Sequence, residues 1–344
     1  MSQPRSRPRR RALYAPFALL LIVLVAYTAY WLYAASQIQA SMESWIAQNR
    51  ASGYEIEHQG VRVIGYPLRF DARVAEPRIA APADEGGWRF EAPELAAGAL
   101  PYDLNRWIVA VRSPARISLS VDGRPAAYAL NAAAARMSIA VRDGRTQRIG
   151  AEVDALTIET LQGPASSIER LEQLRMTGGA GPDDEMIIRA EASGLGLAAG
   201  SVSADVNDAF GLQAELLRLD AAISQWNVLA AEGDAGRWAE AGGRLVVRRA
   251  QMLWGPARLE GDGDLSLDAQ ARVDGRLSLI LSDPDALVNA LVAGRLISPE
   301  QGEALRIAAM MAPRREDGVA LPFRLQGGGL FLGPARIGDA PTLR

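Results

Sequence analysis

The chain has 344 residues, a formal net charge of −3 and 49% hydrophobic residues, a composition typical of a globular protein rather than a disordered or wholly membrane-embedded one. Its small net charge argues against nucleic acid as a partner. Cysteine and lysine are both absent, which excludes thiolate nucleophiles, thiolate metal sites, lysine Schiff bases and Walker-type phosphate loops. His58 is the sole histidine, so His-rich metal sites are excluded as well.

The first predicted element is a transmembrane helix at residues 13–35. This segment carries no charged side chain, and about 20 apolar residues suffice to cross the bilayer core. The preceding tail, residues 1–12, contains arginines and no acidic residue, which the positive-inside rule places in the cytoplasm. We therefore expect an uncleaved single-pass anchor. The alternative is a cleaved signal peptide, with Ala34-x-Ser36 as the cleavage site.

A short amphipathic connecting helix is predicted next, at residues 36–53. Ile38, Met42 and Ile46 fall on one helical face together with Trp45, and Gly53 supplies a stop signal. We expect this helix to continue the membrane helix and to pack on the domain that follows.

Residues 54–344 are predicted to form one large, mainly β domain. Short runs with a period of two alternate with turns rich in Gly, Pro, Asp and Asn, which indicates an antiparallel sheet. One run places Leu68, Phe70, Ala72 and Val74 on one face of a strand, with the charged residues of "PLRFDARV" on the other. The predicted fold class is therefore mainly β (α+β), with a large, curved antiparallel sheet.

A helical pair interrupts this pattern at residues 284–312. Asp283 is expected to cap the first helix, which has Pro284 at its first position and ends at Gly294. The second helix opens with a capping box at residues 298–301.

One stretch, "EGDGDLSLD" at residues 260–268, has oxygen ligands at calcium-loop spacing. A calcium loop beginning at Asp262 needs glycine at its sixth position and glutamate at its twelfth, but Leu267 and Val273 stand there. We interpret the stretch as a strand whose aspartates face solvent. His58 is interpreted as a surface or packing residue. No metal site, cofactor site or catalytic residue is predicted, and the chain is not expected to be an enzyme.

The order of these features resembles that of an alphaproteobacterial envelope family known only as domain of unknown function 2125. The resemblance rests on the Arg-rich start, the membrane helix, "GYPLRF" at residues 65–70 and "LWGPARLEGDG" at residues 253–263, and on "LFLGPARIGDA" near the chain end. It implies a single-pass protein of the bacterial inner membrane with a periplasmic domain, and it brings no catalytic residues. On architecture alone, the chain is also similar to AsmA-like periplasmic proteins, a group implicated in lipid movement.

Two functional hypotheses follow. In the first, the concave apolar face of the curved sheet binds or transfers lipid or another hydrophobic ligand, with Trp107, Trp226 and Trp254 as groove residues. In the second, the domain is a non-catalytic scaffold or assembly factor that binds other envelope proteins. An enzyme acting on the cell wall through paired carboxylates is a weaker third hypothesis, because the aromatic platforms that usually hold sugars are sparse.

Overall fold

The computed structural model describes residues 10–121, 123–142, 145–268, 270–315, 318–332 and 335–341. The arginines at positions 5, 7 and 9 of the predicted cytoplasmic tail lie outside these residues. The helices are α1 (Arg10–Ala51), α2 (Ala204–Phe210), α3 (Trp226–Glu232), α4 (Ala235–Glu240), α5 (Pro284–Ala293) and α6 (Pro299–Met311), with one 3-10 turn at Ala83–Glu85.

The strands of the N-terminal half are β1 (Glu55–Glu57), β2 (Val61–Ile64), β3 (Phe70–Ala75), β4 (Arg78–Ala80), β5 (Arg89–Glu91), β6 (Glu94–Leu100), β7 (Asp103–Val111), β8 (Ala115–Val121), β9 (Arg124–Asn131), β10 (Ala134–Arg142) and β11 (Arg145–Gln162). Those of the C-terminal half are β12 (Ile168–Ala180), β13 (Met186–Leu197), β14 (Gln213–Ile223), β15 (Leu245–Trp254), β16 (Ala257–Leu267), β17 (Val273–Leu281), β18 (Arg314–Arg315), β19 (Gly318–Gln326), β20 (Gly329–Leu332) and β21 (Ala335–Asp339).

The described strands form one antiparallel sheet with the connectivity of a meander. From β11 onward each long strand pairs with the next one in the chain. The shorter N-terminal strands lie end to end in pairs. At one end of the sheet β2 pairs with β3, which pairs with β6; at the other end β1 pairs with β4, which pairs with β5. The sheet is curved but open, since no ladder in the described part of the chain joins β1 or β2 to β21. The predicted fold class is confirmed.

The N-terminal strands are interrupted along a line that crosses the sheet. Successive interruptions fall at Pro77, Pro93 and Pro114, and proline cannot donate to a ladder. Neighbouring strands stay joined across the line, because the Glu76 amide donates to the Pro93 carbonyl (3.0 Å) and the Ala92 amide to the Pro77 carbonyl (3.2 Å). Two consecutive short strands that meet at an interruption therefore behave as one long strand, which reaches from one end of the sheet to the other along the strand direction.

The predicted two-residue alternation in β3 is confirmed for the strand itself. Phe70 and Ala72 are fully buried, and the charged residues Asp71 and Arg73 that alternate with them lie on the other face. There the Arg73 guanidinium lies 3.0 Å from the Asp71 carboxylate, and this hydrogen bond raises the pKa of Arg73. Leu68 departs from the prediction: it precedes β3, in the turn at residues 65–69, and is 77% exposed.

The helices confirm the local sequence signals at their ends. The Asp283 carboxylate accepts from the Ala286 amide (2.9 Å), and Ser298 and Gln301 form the reciprocal capping box. The predicted membrane and connecting helices form one uninterrupted helix, α1. In the described part of the chain, α1 is the one helix long and apolar enough to cross a membrane.

Candidate hydrophobic groove and apolar face

The C-terminal half of α1 packs along the first strands of the sheet. Trp31 stacks on Phe70 with ring centroids 5.2 Å apart, and Ala34 and Ala35 complete this buried cluster. Higher on the helix, Ile46 packs against Ile56 of β1. The helix therefore lies on the apolar face of β1–β3 as predicted for residues 36–53, and this packing begins before residue 36.

Between α1 and the sheet is an open groove of about 700 Å³, within the usual range for small-molecule sites. The helix supplies Tyr33, Ile38 and Trp45 to one wall, and β3, β6 and β7 supply Val74, Leu95, Ala97, Trp107 and Val109 to the other. None of its lining residues is charged. We call this cavity the α1 groove.

Two polar groups at the rim of the α1 groove are hydrogen-bonded within the protein. The Trp107 indole N–H donates to the Leu104 carbonyl (2.9 Å), and the Tyr30 hydroxyl donates to the Pro101 carbonyl (2.9 Å). Both rings thus present mainly their apolar surfaces to the cavity. The groove is suited to an apolar chain rather than to a charged or strongly polar ligand.

The wall of the α1 groove continues without interruption across the sheet. Residues directly opposite each other on paired strands share a face, so the registers trace rows from strand to strand. One row starts in the groove and consists entirely of apolar residues and glycine: Ala72, Ala97, Val109, Met137, Ala151, Met176, Ala190, Leu219, Ala250, Gly261, Leu279 and Leu321.

A second row, two residues along each strand except β15, where a bulge makes the step three, is also apolar throughout. It begins at Trp107 and continues through Ile139, Ile149, Gly178, Ile188, Ala221, Val247, Gly263, Leu277, Phe323 and Leu332. We call the surface formed by these two rows the apolar face. It extends from β7 to the C-terminal strands, and part of it is open to solvent, since Met137, Met176 and Leu219 are all exposed.

The opposite face of the sheet carries a ladder of charges. Its central row alternates in sign from Arg136 to Arg218, then passes through the neutral Gln251, and reads Arg136, Glu152, Arg175, Glu191, Arg218, Gln251 and Glu260. Arg218 contacts Glu191 at 2.9 Å, and Arg249 contacts Glu260 at 3.0 Å. These pairs are largely exposed, so each adds little to stability. They make this the water-facing side.

The three predicted groove tryptophans lie in different places. Trp107 lines the α1 groove. Trp254 ends β15 and packs on Phe210 of α2, with centroids 5.2 Å apart and its indole N–H bonded to Gly211. Trp226 begins α3, where its amide donates to the Asp184 carbonyl (3.0 Å). Neither Trp226 nor Trp254 lines the α1 groove.

The small residues Ala72 and Ala97 of the groove wall were missed by sequence reasoning. The signal that could have found them is the run of alanines in β6, because small side chains on a strand leave space beneath a covering helix.

The stretch at residues 260–268 is a strand, as predicted. It forms most of β16, with Asp262 and Asp264 exposed on the water-facing side, where Arg244 lies 3.3 Å from Asp264. Asp268 closes the turn that follows. Burial acts to raise the pKa of Asp268, but hydrogen bonds from the Arg272 and Gln270 amides and the Arg272 side chain outweigh it and lower that pKa. No group of three potential metal ligands occurs among the described residues.

His58, interpreted above as a surface or packing residue, lies between β1 and β2 and is half-buried. There its Nδ1 accepts from the Gly60 amide (3.1 Å).

Searches of curated proteins and of solved structures find no match to this chain. A family model, described as an uncharacterized protein conserved in bacteria (DUF2125), matches residues 31–341. The matched region begins at Trp31, where α1 first packs on the sheet, and includes the groove strands and the apolar face. The chain therefore belongs to the bacterial family of domain of unknown function 2125.

Proposed function

We propose that this protein is a non-catalytic lipid-binding protein, anchored in the bacterial inner membrane by α1 with its β domain in the periplasm. An acyl chain binds in the α1 groove and moves along the apolar face. The observation that carries the proposal is the continuity between the two: Val109 lines the groove and pairs directly with Met137, which belongs to the exposed part of the apolar face.

The dimensions of the groove support an acyl ligand. Its helical wall runs from Tyr30 to Ile46, which at 1.5 Å per residue is roughly 24 Å. Acyl chains of one leaflet occupy about half of the ~30 Å hydrocarbon core. The groove is therefore long enough to hold one complete acyl chain, and its lower end lies beside the part of α1 predicted to leave the membrane.

The proposal is tested by a charge placed on the groove wall and a matched charge on the other face. Val109→Glu puts a carboxylate in the groove, whereas Ala110→Glu puts it on the water-facing side opposite Arg136. We expect native mass spectrometry of the purified chain to show co-purifying lipid for the wild type and Ala110→Glu, and much less for Val109→Glu. Equal lipid in all three proteins, or none in the wild type, would contradict the proposal.

The orientation is tested separately. Met311 is highly exposed at the end of α6, and the chain has no native cysteine, so Met311→Cys gives a single reporter thiol. We expect a membrane-impermeant maleimide to label it in intact spheroplasts. Labelling only after lysis would place the domain in the cytoplasm and contradict the proposed orientation.

The scaffold hypothesis is supported by one feature away from the groove. Ile307, Met310 and Met311 of α6 are exposed apolar residues, a surface suited to a protein partner. If scaffolding is the main function, Met310→Asp will abolish capture of a protein partner in a detergent pull-down, and Val109→Glu will leave that capture intact. The opposite pattern favours lipid binding.

A further inference from the structure

Two turns that connect strands at the same end of the sheet lie against the part of α1 predicted to leave the membrane. The turn at residues 65–69 joins β2 to β3, and residues 101–102 join β6 to β7. The Tyr27 hydroxyl donates to the Pro67 carbonyl, and the Tyr30 hydroxyl donates to the Pro101 carbonyl. Both turns are therefore fixed at the level of residues 27–30 of the helix.

That level coincides with the end of the hydrocarbon core. The charged tail ends at Arg11, and about 20 residues are needed to cross the core, so a crossing that starts directly after the tail is complete near Trp31, inside the predicted apolar segment 13–35. Along the first part of α1 the apolar side chains are more than half exposed, as expected for a helix surrounded by lipid. Among the side chains of this helix that the structure describes, the first buried one is Trp31.

The composition and exposure of the two turns match a membrane interface rather than water. Apart from Arg69, whose side chain contacts Asp71, residues 65–69 and 101–102 carry no charged side chain. Leu68 is 77% exposed and Tyr102 is 83% exposed, so each turn directs a large apolar or amphipathic residue away from the protein. Exposed tyrosine and leucine at the level of a helix exit are typical of interfacial anchors.

Three backbone carbonyls of the two turns also accept hydrogen bonds from side chains of α1, as a poorly hydrated environment requires. Carbonyl groups that lose contact with water need another donor. The carbonyls of Pro67 and Pro101 receive tyrosine hydroxyls, and the Arg69 carbonyl receives the Trp31 indole N–H at 3.3 Å. Proline itself has no amide hydrogen to leave unpaired.

We infer that the turns at residues 65–69 and 101–102 insert into the outer headgroup region of the bilayer that α1 spans. The β domain thus contacts the membrane through α1 and through both turns, rather than through α1 alone. The α1 groove begins at this membrane-facing end of the sheet, beside Tyr30 and Tyr33. A lipid can therefore pass between bilayer and groove without crossing water. The inference rests on α1 crossing the membrane and does not depend on lipid binding by the groove.

Single cysteines in this cysteine-free chain provide the test. Leu68→Cys and Tyr102→Cys are compared with Met310→Cys and Met311→Cys, whose parent residues are 70% and 83% exposed. The order and direction of the strands place α6 at the end of the sheet opposite to the two turns. Each full-length variant is reconstituted alone in lipid nanodiscs and treated with a membrane-impermeant maleimide. In a second experiment each thiol carries an environment-sensitive fluorophore, and quenching is measured with lipids spin-labelled near the headgroup.

We expect Leu68→Cys and Tyr102→Cys to react at least roughly tenfold more slowly than the α6 controls, which corresponds to about 1.4 kcal/mol of preference for the inserted state. Their fluorophores should be quenched by the labelled lipid, and the control fluorophores should not. Equal reaction rates at all four positions would overturn the inference. Slow reaction without lipid quenching would also overturn it, because it would mean that a second copy of the chain covers the turns.

Discussion

Replacing Phe70 by alanine removes the ring on which α1 rests. Phe70 is 0% exposed and stacks on Trp31 at 5.2 Å. Deleting a fully buried phenylalanine side chain costs about 3–5 kcal/mol. Because Phe70 connects the helix to the sheet, we expect this loss to appear mainly as weaker docking of α1 on β2 and β3. At 1.4 kcal/mol per tenfold, the undocked population rises by roughly 140- to 4000-fold.

Hydrogen exchange measured by mass spectrometry in nanodiscs reports such local opening. In Phe70→Ala, peptides from residues 61–75 and 36–51 should exchange faster by about that factor. Phe323→Ala is the matched control, because it removes the same ring from the apolar face far from α1. It should leave both peptides unchanged. If the peptides of Phe70→Ala exchange within about tenfold of the wild-type rate, less than ~1.4 kcal/mol is lost and the docking role of this stack is wrong.

Three further predictions concern other parts of the fold. Met176→Glu places a charge midway along the apolar face, whereas Thr177→Glu places it on the water-facing side opposite Arg189. Only Met176→Glu should stop lipid transfer between nanodiscs and acceptor vesicles. The same variant should still retain co-purifying lipid in the α1 groove. Ser298→Ala removes half of a capping box and should lower the free energy of unfolding by about 0.5–2 kcal/mol in urea titrations. The lowered pKa of Asp268 means that its carboxylate stabilises the fold at neutral pH and that this contribution is lost as the pH falls through the lowered pKa, below about 4. The unfolding temperature of Asp268→Asn should therefore depend less on pH in that range than that of the wild type.

The strands and helix ends could be predicted because their signals are local. Alternation within β3 follows from the side-chain period of a strand, and the capping box at residues 298–301 follows from four consecutive residues. The fold class needed little more than these signals and the turn residues between them. The same local reasoning misplaced Leu68, because the alternation extends in sequence beyond the point where the strand begins.

The groove could not be predicted, because it depends on contacts between distant residues. Nothing near Trp107 indicates that it faces Trp45 across a cavity while Trp254 packs on Phe210. That distinction is set by which strands α1 covers. By contrast, the continuity of the membrane and connecting helices was expected from the sequence, and α1 runs through residues 35 and 36 without a break.

The exposed part of the apolar face is the strongest reason to expect a ligand there. A single exposed apolar residue on a soluble protein is ordinary. Met137, Met176 and Leu219 are different, because they lie in one row on alternate strands, separated only by Ala151 and Ala190. Together they form a contiguous apolar strip, and such strips mark binding surfaces or aggregation sites. The charge ladder on the opposite face shows that the sheet does place polar residues where water is the neighbour, so the apolar strip indicates a different neighbour. An acyl chain continuing from the α1 groove would cover this strip without closing the sheet.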